Sequence, residues 1–154
     1  MTIGFIGLGK MGSVMVPHLV AAGQMVTGHD LVCPSILPSG VDFAEDLGSL
    51  ASCDIIITML PNGDVVETVV TSLLELGCRA DVIDMSSSHP NVSRCLHAKL
   101  AAYDLVFVDA PVSGGVKRAE TADLQIMAGG DIDALALLTP VLSCMGRVTY
   151  LGPS

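Results

Sequence analysis

Apolar runs of strand length alternate with amphipathic stretches of helix length along the chain, and short polar or glycine-containing turns separate them. This alternation is typical of βαβ units, in which helices cover both faces of a mainly parallel sheet. The predicted strands are Ile3–Ile6, Gln24–His29, Val41–Phe43, Asp54–Leu60, Asp81–Met85, Leu105–Asp109, Leu124–Met127 and Val148–Leu151. The predicted helices are one that follows the first strand and ends at Gly23, and then Ala44–Ala51, Asp64–Leu76, Asn91–Tyr103 and Ile132–Ser143. The pattern predicts a doubly wound α/β fold.

The first strand runs directly into Gly7-Leu8-Gly9-Lys10-Met11-Gly12, which has the spacing G-x-G-x-x-G. In a dinucleotide-binding turn, Gly7 permits the tight exit from the strand and Gly9 lets a pyrophosphate approach the backbone, while Gly12 lets the helix pack closely. The helix that follows presents free N–H groups to the phosphates. We therefore predict a Rossmann-type fold with all six residues of this turn at the cofactor.

The carboxylate of Asp30 follows the second predicted strand, 18 residues beyond Gly12. A carboxylate at about this spacing accepts hydrogen bonds from the ribose hydroxyls of an adenosine half and repels a 2′-phosphate. Leu31 and Val32 supply no arginine for such a phosphate, so the sequence favours NAD over NADP. The alternative is that Asp30 only caps or completes a turn.

Composition narrows the function classes. The 154 residues match one domain, and 51% apolar residues suffice for a core. A net charge of -9 with seven Lys and Arg, and without basic runs, excludes a nucleic-acid surface or an anionic membrane surface. The five cysteines follow no metal-ligand spacing, so we predict no metal site, and they suit a reducing cytoplasm. No signal peptide or membrane-spanning run is recognised.

A second glycine-containing loop, Ser113-Gly114-Gly115, follows the strand that ends at Asp109. Ligands of open α/β sheets bind at the carboxyl ends of the strands. On the residues alone, this loop is either a ligand contact or a plain connection.

Four motifs resemble the β-hydroxyacid dehydrogenases, a family that includes 3-hydroxyisobutyrate dehydrogenase and 6-phosphogluconate dehydrogenase. The resemblance covers the entire chain. The motifs are Phe5-Ile6-Gly7-Leu8-Gly9-Lys10-Met11-Gly12 with Met15, Ile57-Thr58-Met59-Leu60-Pro61-Asn62, Asp84-Met85-Ser86-Ser87, and Asp109-Ala110-Pro111-Val112-Ser113-Gly114-Gly115.

The resemblance implies roles for individual residues. Leu60 and Pro61 would present backbone to the nicotinamide ribose, Val65 would line the adenine side, and Ser87 would contact the cofactor near its reactive ring. Ser113 and the N–H groups of Gly114 and Gly115 would hold the carboxylate of a small 3-hydroxyacid substrate. Small residues suit this task because they let an anion approach several donors at once.

Three residues depart from the family pattern. Val16 and His18 stand where the family usually has a small residue and an asparagine, and Ala122 stands where it usually has a glycine. We interpret His18 as a surface or packing residue. Ala122 would tolerate a positive φ poorly.

The family's general base is a lysine on a helix of a second, helical domain, and neither Lys10, Lys99 nor Lys117 matches its position. We therefore expect residues 1–154 to be a dinucleotide-binding domain that is a fragment or a single-domain relative. The resemblance implies hydride transfer to NAD from a small 3-hydroxyacid in the full-length form, which would be a homo-oligomer. The isolated chain would supply cofactor and carboxylate binding with little turnover.

Two other functions fit parts of the sequence. A non-catalytic dinucleotide sensor or interaction module would keep the fold without the chemistry. A methyltransferase that binds S-adenosylmethionine would explain the glycine turn but gives no reason for the Ser113-Gly114-Gly115 loop.

Overall fold

A computed structural model describes residues 1–153, and Ser154, the last residue of the predicted domain, lies outside the described part. The described residues form a nine-stranded sheet with helices on both faces. The strands are β1 (Thr2–Ile6), β2 (Met25–His29), β3 (Val41–Phe43), β4 (Ile55–Thr58), β5 (Asp81–Asp84), β6 (Phe107–Asp109), β7 (Val112–Ser113), β8 (Leu124–Gly129) and β9 (Gly146–Gly152). The α-helices are α1 (Gly12–Ala21), α2 (Gly63–Glu75), α3 (Pro90–Ala101), α4 (Gly115–Glu120) and α5 (Ile132–Leu142).

Six strands form a parallel sheet in the order β3-β2-β1-β4-β5-β6. This is the order of doubly wound dinucleotide-binding domains, and it confirms the predicted Rossmann-type fold. β1 lies in the middle, where Gly4 is the register partner of Thr27 in β2 and of Ile56 in β4. The strand order reverses between β1 and β4, so a crevice opens there at the carboxyl ends of the strands.

The far end of the sheet is mixed. β8 runs antiparallel to β6, with Asp109 opposite Gly129, and antiparallel to β7. β9 then pairs with β8 in the parallel direction and forms the edge. The sheet is therefore mainly parallel, as the sequence predicts, with its antiparallel pairs confined to one end.

The core consists of two apolar clusters, one on each face of the sheet. The alternating side chains of β4 show the division, because Ile55 and Ile57 pack into one cluster and Ile56 packs into the other. Strands buried on both faces read as continuous apolar runs, which explains the uninterrupted isoleucines of β4. Helix α1 covers the first face through Met15 and Leu19, both fully buried.

Two segments differ from the predicted elements. The predicted helix Ala44–Ala51 is wrong, since only a single 3-10 turn forms at Leu47–Leu50. Asp46 caps this turn by accepting the Ser49 N–H at 2.9 Å, and Gly48 and Ser49 are weak helix formers. The second is the segment after Asp109, which the sequence predicts as loop but in which strand β7 forms and helix α4 begins at Gly115.

Candidate functional site

A cleft of about 500 Å³ opens at the carboxyl ends of β1, β2 and β4, where the strand order reverses. Its volume is in the range of small-molecule sites. Nine of the residues predicted to contact the cofactor line it, namely Gly7, Gly9, Lys10, Met11, Gly12, Asp30, Leu60, Pro61 and Val65. The structure thus brings the glycine turn after β1 together with the start of α2, although the two segments lie far apart in the chain.

Two glycines of the turn are required by protein packing. Gly7 has a φ of +104°, and a Cβ there would collide with the carbonyl oxygen of Met59. A Cβ on Gly12 would collide with the carbonyl oxygen of Gly7 and would lie 2.9 Å from the Phe5 ring. Side chains at these two positions would force β1, α1 and the end of β4 apart.

Gly9 differs from both, because a Cβ there would meet no protein atom within 4 Å. Within the part of the chain that the structure describes, the N–H groups of Gly9, Lys10 and Met11 donate to no protein acceptor. Gly9 lines the cleft, so a side chain there would meet open space and no protein atom. The turn fits an anionic group such as a pyrophosphate, which needs unpaired N–H groups and a close approach to the backbone.

Asp30 holds the glycine turn as well as lining the cleft. Its Oδ2 accepts the N–H of Leu8 at 2.7 Å, and its Oδ1 accepts the N–H of Leu31 at 2.7 Å. Leu8 itself is 5% exposed and reaches the site through this backbone contact. A carboxylate has about four acceptor positions, so Asp30 retains capacity for the hydroxyls of a ribose.

The opposite wall of the cleft rests on a buried polar network. The N–H of Leu60 donates to Ser86 Oγ at 2.9 Å, and the N–H of Ser86 donates to Asp84 Oδ1 at 3.0 Å. The Thr58 hydroxyl donates to the same Asp84 oxygen at 2.8 Å. Thr58, Asp84 and Ser86 are all fully buried, so the loops after β4 and β5 are tied together beneath the surface.

The remaining predicted site residues lie outside the cleft lining. Ser87 is exposed on the loop after β5, next to Ser86. Ser113, Gly114 and Gly115 are exposed where β7 meets α4, with Ser113 opposite Gln125 of β8. The structure therefore gathers nine of the eleven predicted cofactor residues in the cleft, leaves Leu8 and Ser87 outside its lining, and leaves the predicted substrate loop exposed to solvent.

Asp109 is the register partner of Asp84 at the end of β6, and its Oδ1 is buried without a hydrogen-bond partner. Burial raises the pKa of this carboxyl above its ordinary value of 3.8. The nearby Ser93 hydroxyl lowers the pKa in part, although Ser93 Oγ does not reach hydrogen-bond geometry, and the Asp84 charge raises it further. Burial is therefore the main reason why the pKa of Asp109 is raised, and the neighbouring Asp84 carboxylate adds to it.

The three departures from the family pattern have defined surroundings. Val16 is fully buried in the core. His18 is half-buried and places Nε2 2.7 Å from the carbonyl oxygen of Ala119, so it links α1 to α4 as a packing residue. Ala122 follows α4 with a φ of 53°, the strained conformation expected for an alanine in place of glycine.

The sequence predictions missed several residues that line the cleft, namely Ile6, His29, Leu31, Leu47, Met59 and Val69. Val69 could have been found, since it lies one helical turn after Val65 on α2. Leu47 could not have been predicted from the sequence, because only the tertiary fold brings its 3-10 turn to the cleft. His29 accompanies Asp30 and places Nδ1 2.9 Å from the carbonyl oxygen of Ala44.

No cluster of three or more His, Cys, Asp or Glu side chains suited to a metal ion occurs among residues 1–153. Over the same residues, the helices are all too short or too polar to cross a membrane.

Residues 2–152 match the family described as the NAD binding domain of 6-phosphogluconate dehydrogenase. The mitochondrial 3-hydroxyisobutyrate dehydrogenase of Drosophila melanogaster is 36% identical over 97% of this chain and 48% of the relative. The 2-(hydroxymethyl)glutarate dehydrogenase of Eubacterium barkeri is 37% identical over 96% of this chain and 52% of the relative. The chain thus spans about half the length of the curated relatives it matches.

The solved structure of Mycobacterium tuberculosis 3-hydroxyisobutyrate dehydrogenase with L-serine superposes with a TM-score of 0.89 at 36% identity, covering 99% of this chain and 55% of that one. Structures of similar fold include complexes with NAD+ and with NADP+. The family match, the glycine turn and the strand order agree, and the chain belongs to the family of NAD-binding domains found in 6-phosphogluconate dehydrogenase and the 3-hydroxyisobutyrate dehydrogenases.

Proposed function

We propose that this chain binds NAD in the cleft between β1, β2 and β4, as the cofactor-binding part of a dehydrogenase for small 3-hydroxyacids. The observation that carries the proposal is that Gly9 faces open space in a cleft-lining turn whose N–H groups at Gly9, Lys10 and Met11 donate to no described protein acceptor. Protein packing does not need a glycine there, whereas a bound pyrophosphate does. Lys10 also lines the cleft, and its ammonium group would complement the phosphate charge.

The adenosine half would occupy the side of the cleft nearest β2. Asp30 would accept the ribose hydroxyls with its remaining lone pairs. Leu31, Val65 and Val69 form an apolar wall for the adenine ring. The carboxylate would repel a 2′-phosphate, and Leu31 offers no compensating cation, so we infer NAD rather than NADP.

The nicotinamide half would lie on the opposite side of the glycine turn. Leu60 and Pro61 line the cleft there and would present backbone to the ribose, with Ser87 near the reactive ring. The Ser113 hydroxyl and the N–H groups of Gly114 and Gly115 would hold the substrate carboxylate. Relatives named for 3-hydroxyisobutyrate and 2-(hydroxymethyl)glutarate support a small hydroxyacid as the substrate class.

Calorimetric titration of the 154-residue chain with NAD and with NADP in one buffer tests this proposal. We expect NAD to bind at least about ten-fold more tightly, which corresponds to about 1.4 kcal/mol. Asp30→Asn should remove most of this preference, since it removes the charge that repels a 2′-phosphate. Asp42→Asn is the matched control, because Asp42 is an exposed carboxylate on β3 outside the cleft.

Tighter binding of NADP by the wild-type chain would overturn the role proposed for Asp30 while keeping the dinucleotide site. Binding of neither dinucleotide would overturn the site itself.

We infer that hydride transfer needs a general base that the described residues do not provide. Lys99 donates to Thr71 Oγ1 at 2.8 Å, far along α3, and Lys117 is exposed on α4. Purified chain mixed with NAD and small 3-hydroxyacids should therefore form no NADH above background. Turnover would contradict this inference, whereas NAD binding without turnover is also what a sensor or interaction module would show. The full-length form, as a homo-oligomer, would supply the base.

The expected compartment is a reducing cytoplasm. The five cysteines of residues 1–153 are free. Burial raises the pKa of the Cys53, Cys78 and Cys144 thiols, so these groups stay protonated and unreactive.

A further inference from the structure

Asp84, at the end of β5, is a fully buried carboxylate. Neither of the ion pairs found among residues 1–153, Lys99–Glu67 and Arg118–Asp123, includes it. A buried carboxylate without a cation must be stabilised by hydrogen bonds, or its burial is very costly. The position of Asp84 therefore depends on its donors.

Three donors converge on Asp84 from two loops. The Thr58 hydroxyl, at the end of β4, donates to Oδ1 at 2.8 Å. The Ser86 N–H donates to the same oxygen at 3.0 Å, and the Ser88 hydroxyl donates to Oδ2 at 2.5 Å. Both oxygens are thus engaged, and the chain that follows β5 folds back around its own last residue.

The network continues to the surface of the cleft. Ser86 Oγ accepts the N–H of Leu60 at 2.9 Å, and Leu60 lines the cleft beside Pro61. Ser87 is exposed between the two serines that contact Asp84. One buried carboxylate therefore sets the positions of both loops that flank the side of the glycine turn away from Asp30.

Asp109 provides an internal comparison. It is the register partner of Asp84 on the adjacent strand, yet its Oδ1 is buried with no partner. The donors in this part of the sheet are directed to Asp84 and not shared between the two carboxylates. This asymmetry indicates that the hydrogen-bond donors of the two loops hold Asp84 and not Asp109.

We propose that Asp84 is a positioning residue that locks the loop after β4 to the loop after β5 and so shapes the nicotinamide half of the cofactor site. The inference rests on the proposed function for the identity of the ligand, but the loop coupling itself does not. The two parts are therefore tested separately.

The loop coupling is tested without ligand, by amide hydrogen exchange of Leu60 in the 154-residue chain. In Asp84→Ala and in Ser86→Ala, the Leu60 N–H should exchange at least about ten-fold faster, while the amides of β1 keep their protection. Asp81→Ala is the matched control, because Asp81 lies at the other end of β5 and accepts the Val106 N–H at 2.9 Å. That variant loses a similar hydrogen bond and should leave Leu60 unchanged.

The effect on the site is tested by titration with NAD and with ADP, which lacks the nicotinamide riboside. Asp84→Ala should weaken NAD binding about ten-fold and change ADP binding less than about two-fold. Asp84→Asn keeps an acceptor for Thr58 and Ser86, so it should restore NAD binding to within about three-fold of wild type. Ser86→Ala should also weaken NAD binding more than ADP binding, so it keeps the test valid if Asp84→Ala does not fold.

Unchanged exchange of Leu60 in both Asp84→Ala and Ser86→Ala would overturn the coupling. Equal losses of NAD and ADP affinity would show that Asp84 acts only on overall stability and would also overturn the proposal. Failure of the wild-type chain to bind either nucleotide would refute the proposed function alone, because the exchange experiment would still decide whether the loops are coupled.

Discussion

The glycine turn after β1 and the glycine loop after β7 are both built of small residues, yet the structure treats them differently. The turn lies at the centre of the sheet, where Gly7 and Gly12 are needed for packing and Gly9 faces an open cleft. The loop Ser113–Gly115 lies near the mixed end of the sheet, is exposed, and lines no part of that cleft. One region lines a cleft, and the other lies exposed on the surface.

This difference separates two reasons for a glycine. At Gly7 and Gly12 the surrounding protein leaves no room for a side chain, so the fold itself requires glycine at both positions. At Gly9 the protein leaves room, so packing against other residues does not require a glycine there. The comparison makes a prediction for each case.

Gly12→Ala should have the largest effect. Its Cβ would overlap the Gly7 carbonyl oxygen and press on the Phe5 ring, and neither can move without shifting β1 or α1. Overpacking of this kind costs about 3 kcal/mol, which corresponds to a fall in Tm of about 10 °C for a domain of this size. Thermal unfolding followed by circular dichroism measures it, and an unchanged Tm would mean that α1 is not held against β1 as described.

Gly9→Ala is the matched change in the same turn, and it should weaken binding without destabilising the fold. Its methyl group would enter the space in front of the N–H groups of the turn, so we expect NAD and ADP affinities to fall about ten-fold. The Tm should stay within about 1 °C of wild type, since no protein atom lies within 4 Å of the added carbon. Unaltered nucleotide affinity would remove the main argument for a pyrophosphate at this turn.

Ala122→Gly should stabilise the region of the second loop. Ala122 has a φ of 53°, so glycine would relieve strain at the end of α4. Glycine also increases the conformational entropy of the unfolded chain, which offsets part of this relief. We therefore expect the free energy of unfolding to rise by about 0.5–1 kcal/mol and NAD affinity to stay unchanged. Asp104→Gly is the control, because aspartate tolerates its φ of 57° better than alanine does. A loss of stability in Ala122→Gly would show that the positive φ of Ala122 does not strain the folded protein.

Asp109→Asn should have the smallest effect, and one that depends on pH. Because the folded state raises the pKa of Asp109, the folded protein holds a proton that the unfolded chain has released. The contribution of Asp109 to the free energy of unfolding therefore falls as pH rises from the ordinary value of 3.8 through the raised value. The variant should be more stable than wild type at neutral pH by less than about 1 kcal/mol, since the group is only partly buried.

This gain should vanish below the ordinary pKa, where both forms are uncharged. Denaturant unfolding across this pH range measures it, with Asp42→Asn as an exposed control. A gain that is independent of pH would show that the charge of Asp109 is not its cause.

The sequence predicted the central part of the fold well because its signals are local. The strand at β1, the glycine turn and the acidic residue after β2 lie within one βαβ unit, where spacing along the chain fixes spacing in the structure. The same holds for α2, which Asn62 begins by accepting the Val65 N–H at 3.1 Å and which Gly77 follows.

The errors lie where tertiary contacts decide. The segment Ala44–Ala51 has apolar residues at helical spacing, but Gly48 and Ser49 leave it as one capped turn over the edge of the cleft. Gly114 and Gly115 are typical of a loop, but Gly114 is the N-cap residue of α4 and Gly115 its first residue, and no side chain caps the helix. The buried role of Asp84 was equally hidden, because its donors come from the ends of two strands that are brought together only in the sheet.

The contact between His18 and Ala119 links the two glycine regions through α1 and α4. A carbonyl oxygen can only accept, so Nε2 of His18 is the donor in this hydrogen bond. Helix α1 starts at the glycine turn and α4 starts at the glycine loop, and this hydrogen bond joins the flanks of the two helices. The relative orientation of the two helices, and with it that of the glycine turn and the glycine loop, therefore depends in part on this one hydrogen bond.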